Sequence, residues 1–471
     1  MLKAHIINIL TGQLGHQPTP GQERMIEMIP DFLTGGKGKE IFLVKGFAGT
    51  GKTSILGALV RTIRILENSV ILLAPTGRAA KVLASFCNYN AYTIHKKIYR
   101  QKSATDGTGR FVLDRNLHSN TLFIVDEASM ISNQSFESDI FGSGRLLDDL
   151  ISYVDNDRNC GLVLVGDTAQ LPPVGIDLSP ALDAEYLKGF GLNVKEVFLS
   201  EILRQAEGSG ILFNAGGIRH KITGKVSGPP HIMLNDFTDV ERVNGVDLIE
   251  KITESYDKCG IENTIVVTRS NRKANLYNQG IRERILFRDE ELAAGDLMMV
   301  VKNNYFWLPE NELTDFIANG DIIEIVRIRR YQEMYGFRFA DALVRFVDYK
   351  NTEIEVKLLL DTISSETASL SSQQNKNLFH AVMEDYSDIT NKRKRMEKLR
   401  SNPWFNALQV KFAYAVTCHK AQGGQWKNVF IDQGYITDEM INTEYLRWLY
   451  TAFTRPTEKL YLVNFSDRFF E

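Results

Sequence analysis

Residues 46–54, with the sequence GFAGTGKTS, decide the fold of the first part of the chain. The stretch matches the pattern G-x-x-x-x-G-K-[ST], and it lies directly after the apolar run IFLVK (41–45) and before a helical pattern. In that context glycines let backbone N–H groups converge on a phosphate at a helix N-terminus. The stretch therefore predicts a phosphate-binding loop, in which Lys52 contacts the β and γ phosphates of a nucleotide and Thr53 ligates Mg²⁺. The residues predicted to bind the nucleotide here are Gly46, Gly49, Thr50, Gly51, Lys52, Thr53 and Ser54.

Short apolar runs alternate with helical patterns on both sides of this loop. Such runs are typical of parallel strands that are buried on both faces. The further runs of the first half are VILLA (70–74), TLFIVD (121–126) and GLVLVG (161–166). Those of the second half are TIVVT (264–268), AYAVT (413–417), NVFID (428–432) and KLYLVN (459–464). The alternation predicts an α/β fold with two parallel-sheet lobes, the second without a phosphate-loop lysine.

Two inserts interrupt the lobes. The stretch RQKSATDGTGRFVLDRN (100–116) has a polar, Gly-containing centre that favours a hairpin. Alternating strand patterns in IIEIVRI (322–328), ALVRFVDY (342–349) and IEVKLLL (354–360) favour a small barrel, and a polar helical segment follows. The predicted domains are a first lobe of residues 1–99 and 117–205, a hairpin insert of 100–116, a second lobe of 206–320 and 410–471, and a barrel insert with a helical arm of 321–409.

Composition narrows the class of protein. A chain of 471 residues with 44% hydrophobic residues is expected to form more than one domain with its own core. No apolar run reaches the roughly 18 residues of a membrane span, and the N-terminus has no signal-peptide pattern. The four cysteines form no CxxC pair, which predicts a cytoplasmic protein without structural zinc. The net charge of −3 leaves nucleic-acid binding open, because only a local groove has to be basic.

A second motif completes the predicted nucleotide site. The stretch LFIVDEAS (122–129) is an apolar strand that ends in Asp126 and Glu127. Asp126 is predicted to hold Mg²⁺, through water or directly, and Glu127 to accept a proton from the attacking water. A lone Asp-Glu pair is a weak signal, but after a phosphate loop it predicts hydrolysis of Mg²⁺-ATP.

The stretch LVGDTAQLPPVG (164–175), which carries Gln170, resembles motif III of the superfamily 1 helicases. Other stretches of the chain resemble further motifs of that superfamily, and they follow one another in the expected order. They are the Q motif in PTPGQERMI (18–26) with Gln22, motif Ia in APTGRAAKVL (74–83), Ib in TIHKKIY (93–99), IV in LSEILRQAEGSGI (199–211) with Arg204, V in YAVTCHKAQGGQW (414–426), and VI in YTAFTRPTEKLYLV (450–463) with Arg455.

Within the superfamily the chain is most similar to the RecD-like and Dda-like branch. The Thr-x-His-Lys-x-Gln-Gly pattern in motif V and the barrel insert carry this resemblance. It implies two RecA-like lobes with an SH3-like barrel insert, and 5′→3′ movement along single-stranded DNA. One departure is Pro456 after Arg455, because motif VI usually reads Thr-Arg-Ala; the proline favours an extended backbone or a helix start there.

The resemblance also implies the site residues and partners. The expected catalytic residues are Lys52, Asp126, Glu127, Gln170, Arg204 and Arg455. Gln22, Gln422 and Gly423 are also expected to contact the nucleotide. The expected DNA contacts are Pro75, Thr76, Arg78, His95, Phe111, Thr417, His419 and Lys420. The expected ligands are ATP, Mg²⁺, single-stranded DNA and forked duplex DNA. We expect a nucleoid-associated monomer with roles in DNA repair and recombination.

Several questions remain open from the sequence. Phe111 in the hairpin either wedges the DNA fork or anchors the hairpin to the lobe, with equal weight. The basic run NKRKRMEKLR (391–400) is interpreted as a solvated helix face rather than a DNA contact. Asp348, Glu355 and Lys357 form an acid-x-Lys pattern that metal nucleases use, although alternating charges on the outer face of a barrel strand are the favoured explanation. The sequence is also compatible with an RNA-directed translocase. A DNA-binding scaffold with an inactive ATPase is disfavoured, because Lys52, Asp126, Glu127, Gln170 and Arg455 are all present.

Overall fold

The computed structural model describes residues 2–35, 39–101, 111–134, 142–155, 158–202, 208–226, 228–304, 306–308, 317–347 and 352–470. Its strands are β1 (Glu40–Gly46), β2 (Ser69–Ala74), β3 (Ala91–Thr93), β4 (Tyr99–Gln101), β5 (Phe111–Leu113), β6 (Thr121–Val125), β7 (Gly161–Gly166), β8 (Asn193–Leu199), β9 (Val240–Val243), β10 (Thr264–Thr268), β11 (Leu297–Val300), β12 (Ile322–Met334), β13 (Phe337–Phe346), β14 (Glu353–Leu359), β15 (Leu408–Phe412), β16 (Ala415–Thr417), β17 (Trp426–Asp432) and β18 (Pro456–Val463).

The α-helices of the described residues follow the same chain order. They are α1 (Leu2–Leu14), α2 (Pro20–Thr34), α3 (Lys52–Ile65), α4 (Gly77–Cys87), α5 (Ile94–Ile98), α6 (Leu146–Val154), α7 (Ala184–Lys188), α8 (Gly210–Thr223), α9 (Leu248–Cys259), α10 (Asn271–Arg284), α11 (Ser372–Glu384), α12 (Lys392–Arg400), α13 (Cys418–Ala421) and α14 (Thr443–Phe453). None of these helices is long and apolar enough to cross a membrane.

The first lobe contains a six-stranded parallel sheet in the order β3-β2-β6-β7-β1-β8. The strands β1, β2, β6 and β7 coincide with the predicted apolar runs and are almost entirely buried, since helices cover both faces. The edge strands β3 and β8 were not predicted, and they are less buried. β1 lies between β7 and β8, so the phosphate loop that follows β1 emerges from the middle of the sheet. The carboxyl ends of β6 and β7 meet it at the same edge of the sheet.

The second lobe contains a five-stranded parallel sheet in the order β16-β10-β17-β18-β9. The strands β10, β16, β17 and β18 match the predicted runs, whereas the edge strand β9 was not predicted. The α/β fold with two parallel sheets is confirmed. β18 begins at Pro456, which pairs with Trp426 of β17. The proline therefore follows the extended interpretation and starts a strand.

The predicted barrel is present and closed by the strands β11-β12-β13-β14-β15. Neighbouring strands are antiparallel except β14 and β15, which run parallel. Closure uses Leu297–Val300 and Leu408–Phe412, which flank the predicted insert of 321–409 on both sides. Only Ala413 and Tyr414 separate the last barrel strand from β16 of the second sheet.

The hairpin insert contains the antiparallel pair of β4 and β5, with Tyr99 opposite Leu113. The predicted tip falls in residues 102–110, outside the described residues. Phe111 is half-buried and packs against the core of the first lobe. That contact supports the anchor interpretation of Phe111, and the wedge stays a prediction.

The helical arm packs on one end of the barrel. Leu378 of α11 and Leu399 of α12 join Phe339 of the barrel in one buried cluster. The remaining side chains of α12 are exposed or half-buried. This pattern agrees with a solvated helix face for the basic run.

Candidate functional site

The phosphate loop has the backbone that its glycines predict. Gly49 and Gly51 both adopt a φ of +76°, a left-handed conformation that favours glycine. Lys52 begins α3, and its Nζ donates a hydrogen bond of 2.8 Å to the carbonyl oxygen of Phe47. The same Nζ lies 4.0 Å from Oδ2 of Asp167. The lysine therefore lies over the loop, and Thr53 follows it in the first turn of the helix.

Asp126 and Glu127 follow β6 at the same edge of the sheet. The N–H of Asp126 donates to the carbonyl of Leu73 at 3.0 Å, and that of Glu127 donates to Oδ1 of Asp126 at 2.9 Å. Glu127 has a φ of +53°, which turns the chain sharply after the strand. Burial, followed by the neighbouring Glu127 carboxylate, raises the pKa of Asp126 to about 7. A divalent cation suits these residues, because it would favour the ionised carboxylate and accept oxygen ligands from Thr53 and Asp126.

Motif III brings two buried polar side chains beside the phosphate loop. Oδ1 of Asp167 accepts a hydrogen bond of 2.9 Å from the N–H of Ala169. Gln170 is only 6% exposed, and its Oε1 has no hydrogen-bond partner among the described residues. A buried amide oxygen without a partner is costly, and it suits a ligand or water that donates a hydrogen bond.

The second lobe reaches the phosphate loop through Tyr450 of α14. The Tyr450 hydroxyl accepts a hydrogen bond of 2.9 Å from the N–H of Ala48 and donates one of 2.7 Å to Oδ2 of Asp167. Sequence reasoning did not select Tyr450. Tyr450 is the first residue of the motif VI stretch at 450–463, so its position in a motif indicated a role. The local pattern does not indicate that its partner lies about 400 residues away in the chain.

Two more contacts between the lobes hold the backbone of Leu171, directly after Gln170. Its N–H donates to Oγ1 of Thr451 at 2.8 Å, and its carbonyl accepts a 2.6 Å hydrogen bond from Nε2 of Gln422. The structure thus places Gln422 against the motif III loop. Gly423 has a φ of +73° and packs on α4, where an added Cβ would lie 2.8 Å from Cβ of Ala79.

Arg455 is buried within the second lobe and has a full set of backbone and hydroxyl partners. It donates to the carbonyls of Thr451 at 3.0 Å and Gly424 at 3.2 Å, and to Oγ1 of Thr454 at 2.8 Å. Reaching a nucleotide would require these bonds to be exchanged. Arg204 lies outside the described residues.

Gln22 combines a structural bond with a position beside the phosphate loop. It is the third residue of α2, where it completes a capping box with Thr19. Its Nε2 lies 3.4 Å from the carbonyl oxygen of Thr50. Gln22 therefore connects the start of α2 with the loop, and Thr50 itself is fully buried.

A separate groove of about 350 Å³ gathers most of the predicted DNA contacts. Pro75, Thr76 and His95 line it from the first lobe, and His419 and Lys420 line it from the second. Loops of the barrel add a further wall with Asn303, Asn319 and Gly320. Gln422 also lines this groove, so one side chain links it to the motif III loop.

Arg78 also lines the groove, and Thr417 lies at its margin. The Arg78 guanidinium stacks on Trp426 at 3.9 Å from the ring centroid and lies 3.4 Å from the carbonyl oxygen of Gln425. Thr417 caps the short helix α13 and lines a small neighbouring depression together with Lys420. Arg78 thus bridges the two lobes in this structure.

Burial keeps the two histidines of the groove neutral. It lowers the pKa of His95 to about 4 and also lowers that of His419, so both imidazoles are uncharged at neutral pH. Burial lowers the pKa of Lys420 to about 8. The groove therefore offers two neutral imidazoles, the titratable Lys420 and the stacked Arg78 guanidinium instead of a strongly basic surface.

The acid-x-Lys pattern of the barrel has a structural explanation. Glu355 is exposed and pairs with Arg329. Lys357 is 4% exposed, pairs with Asp341, and lies 3.6 Å from the centroid of the Trp404 ring. Asp348 lies outside the described residues, and no group of three or more His, Cys, Asp or Glu within the described ranges is arranged to hold a metal ion.

Comparison with protein families gives two matches that agree with the two lobes. Residues 18–211 match the AAA domain family AAA_30, and residues 412–463 match the UvrD-like helicase C-terminal domain. The first match covers the Q motif, the phosphate loop and motifs Ia to III. The second covers motifs V and VI.

Curated relatives are distant in sequence. A protein of Acanthamoeba polyphaga mimivirus, R530, is 24% identical over 89% of this chain and 94% of the relative. Protein MJ1519 of Methanocaldococcus jannaschii is 23% identical over 94% of this chain. The ATP-dependent RecD2 DNA helicase of Deinococcus radiodurans is 25% identical over 57% of this chain. The chain spans only 38% of the length of MJ1519 and 34% of that of RecD2.

Solved structures of similar overall shape include Pif1 helicases. One, from a study of DNA unwinding at forked duplexes by two coordinating Pif1 helicases, is 16% identical with a TM-score of 0.49 and covers 96% of this chain and 94% of its own. Another, from Bacteroides with ADP-AlF3 and single-stranded DNA, is 15% identical with a TM-score of 0.45 and covers 97% and 95%. The ordered motifs, the two family matches and the RecD2 relative together show similarity to the RecD-like superfamily 1 helicases.

Proposed function

We propose that the protein is an ATP-dependent DNA helicase that moves 5′→3′ along single-stranded DNA and unwinds duplex DNA as a monomer. The family supports helicase activity in general, and the curated RecD2 relative is itself a DNA helicase. The polarity rests on the resemblance to the RecD-like branch. The domain limits predicted from the sequence are part of the proposal, with the barrel extended to its flanking strands.

Nucleotide binding is assigned to the cleft beside the phosphate loop. Lys52 and the loop N–H groups bind the phosphates, Gln22 contacts the adenine, and Thr53 with Asp126 holds Mg²⁺. When bound, Mg²⁺ neutralises charge on the β and γ phosphates. Glu127 orients the attacking water and accepts its proton, while Gln170 contacts the terminal phosphate through its buried amide. Arg204 and Arg455 are assigned to the transferring phosphoryl group.

Coupling to DNA is assigned to the groove. Thr76 and His95 of the first lobe and Thr417, His419 and Lys420 of the second donate hydrogen bonds to DNA phosphates. These contacts carry no base information, so little sequence preference is expected. Opening and closing of the nucleotide cleft changes the distance between the DNA contacts of the first lobe and those of the second. If the two lobes bind DNA tightly in turn, the protein moves along the strand in one direction.

One observation carries the proposal. Gln422 lines the groove and donates its 2.6 Å hydrogen bond to Leu171, the residue that follows Gln170. A single side chain of the second lobe therefore contacts both the groove and the motif III loop of the first. Through this connection, loss of the terminal phosphate at the motif III loop can change the contacts that the groove makes with DNA.

The test is ATP hydrolysis with and without single-stranded DNA, together with unwinding of forked duplexes that carry either a 5′ or a 3′ tail. We expect stimulation by DNA and unwinding of the 5′-tailed substrate. Unwinding of the 3′-tailed substrate alone would reject the polarity. Stimulation by RNA in place of DNA would favour the RNA translocase. Plasmid nicking that persists in K52A would favour an added nuclease.

A further inference from the structure

Helix α8 of the second lobe lies directly on the phosphate loop. Gly49 of the loop faces Leu212 so closely that an added Cβ would lie 3.0 Å from Cδ1 of that leucine. Phe47 is 7% exposed and belongs to a buried cluster that also contains Ile218 of α8 and Tyr450 of α14. The start of the loop is therefore packed into the core of the opposite lobe.

Arg219 lies on the same face of α8, seven residues after Leu212. Its guanidinium carbon is 4.4 Å from the centroid of the Phe47 ring. The side chain is half-buried, and within the described part of the chain its guanidinium makes no hydrogen bond or ion pair. A half-buried guanidinium with its donors unused is suited to an anionic ligand, and stacking on an aromatic ring fixes the plane of the group.

The position of Arg219 contrasts with that of Arg455, whose donors are used by the Thr451 and Gly424 carbonyls. Arg219 is also close to the pair of hydrogen bonds that joins Tyr450 to Ala48 and Asp167. Its positive charge opposes the rise in the pKa of Tyr450 that burial causes. The guanidinium thus lies beside the start of the phosphate loop. Asp167, the partner of the Tyr450 hydroxyl, is 4.0 Å from Nζ of Lys52, where the phosphates of a nucleotide are expected.

We propose that Arg219 is a catalytic residue of the second lobe, whose guanidinium contacts the terminal phosphate of the nucleotide and stabilises charge on it during transfer. The inference rests on the proposed ATPase function. In that reaction water attacks the γ-phosphorus, the bond to the β,γ-bridging oxygen breaks, and Arg219 only donates hydrogen bonds to the phosphoryl oxygens. Because α8 moves with the second lobe, the contact would depend on the position of the lobes.

The experiment compares wild type with R219A, R219K and the control H220A, which changes the exposed neighbour of Arg219 on α8. Dissociation constants for ATPγS and ADP are measured with Mg²⁺, and kcat is measured with saturating single-stranded DNA. In R219A we expect binding of ATPγS to weaken by at least about tenfold while binding of ADP stays within about threefold. The kcat of R219A should fall by roughly 10³-fold, with R219K intermediate and H220A equal to wild type.

The two readouts separate this inference from the proposed function. An unchanged preference for ATPγS over ADP in R219A would overturn the role of Arg219 even if kcat fell, because the side chain would then act only through the shape of the loop. A wild type that hydrolyses no ATP but shows the Arg219-dependent preference would reject the ATPase and keep the contact. If R219A does not fold, R219Q retains a shorter polar side chain without the charge, and the same loss is expected from it.

Discussion

The nucleotide cleft and the groove are built in opposite ways, although both lie between the same two lobes. On the nucleotide side the contacts between lobes are buried and directional, as in the hydrogen bonds of Tyr450 to Ala48 and Asp167. In the groove the side chains are mostly half-exposed, and burial leaves His95 and His419 uncharged. One face is organised by hydrogen bonds within the protein, whereas the other presents donors for a ligand.

This difference indicates where specificity and strength come from on each side. A buried polar network fixes geometry and is costly to disturb, because each lost partner leaves a desolvated group. Neutral donors at a groove bind a phosphate backbone more weakly and exchange it more readily. An enzyme that holds ATP in one geometry but releases DNA at every cycle requires a rigid nucleotide site and a DNA site that exchanges its contacts readily.

Removing the charge at the phosphate loop should give the largest effect and should affect the nucleotide side only. We expect K52A to lower ATP hydrolysis by roughly 10³-fold, the order found when a group that stabilises transferring phosphoryl charge is lost. Binding of single-stranded DNA at equilibrium should stay near wild type. K427A, which changes an exposed lysine paired with Glu458, is the control. Equal losses of DNA binding and hydrolysis in K52A would contradict a division between the two faces.

Removing the Tyr450 hydroxyl should weaken the contact between lobes. Y450F removes the hydrogen-bond partner of Oδ2 of Asp167 and of the N–H of Ala48, so the free energy of unfolding should fall by about 1–3 kcal/mol. Chemical denaturation measures this change, and the DNA-stimulated kcat should fall with it. The matched variant Y435F removes a hydroxyl from a side chain that is 83% exposed and should change neither quantity. A Y450F protein as stable as wild type would show that the two hydrogen bonds contribute little.

Removing the Gln422 amide should reduce communication between the faces. In Q422A the ratio of the DNA-stimulated to the basal ATPase rate is expected to fall about fivefold, at the lower end of common coupling free energies. The reason is loss of the hydrogen bond to Leu171. The neighbouring Gln425 is exposed, so Q425A serves as the control. An unchanged ratio in Q422A would remove the connection on which the proposed function rests.

Changing pH should affect the groove by the smallest amount. The pKa of Lys420 is lowered to about 8, so the side chain is charged at pH 7 and mostly neutral at pH 9. The affinity of wild type for single-stranded DNA should fall over this range, and the slope of log K against log salt should shrink by up to about 0.7, the value for one phosphate contact. K420R stays charged at both pH values and should keep its slope.

Lys411 also has a pKa lowered to about 8, so its contribution has to be separated from that of Lys420. It is buried and donates to the carbonyl of Ser365, and K420R leaves it unchanged. If the slope of K420R changed with pH as much as that of wild type, Lys420 would not be the titrating contact.

The sequence predicted the elements well because their signals are local. Apolar runs identified the central strands of both sheets but not the edge strands β3, β8 and β9, and the glycines at 49 and 51 identified the turn of the phosphate loop. The barrel was predicted from its three central strands, but its closure by β11 and β15 was not. Those two strands are short, and β11 lies more than 100 residues before its partner β15.

Contacts between the lobes were not predictable for a different reason. Tyr450 and Ala48 are 402 positions apart, and nothing in either local pattern indicates that they meet. Arg219 lies on an ordinary helix, and its significance comes only from the loop beneath it. Arg78 and Gln422 were predicted as ligand contacts, but local patterns did not indicate that both also bond to the opposite lobe.

The join between the barrel and the second sheet has a mechanical consequence. Ala413 and Tyr414 alone connect β15 to β16. Two extended residues span at most about 7 Å, so this connection cannot lengthen appreciably when the two strands are pulled apart. Tyr414 is also fixed by hydrogen bonds of its hydroxyl to Asp296 at 2.9 Å and from the N–H of Leu297 at 3.1 Å. A tension applied to a strand held by the barrel would therefore pull directly on motif V, and the rate of ATP turnover is expected to depend on opposing load.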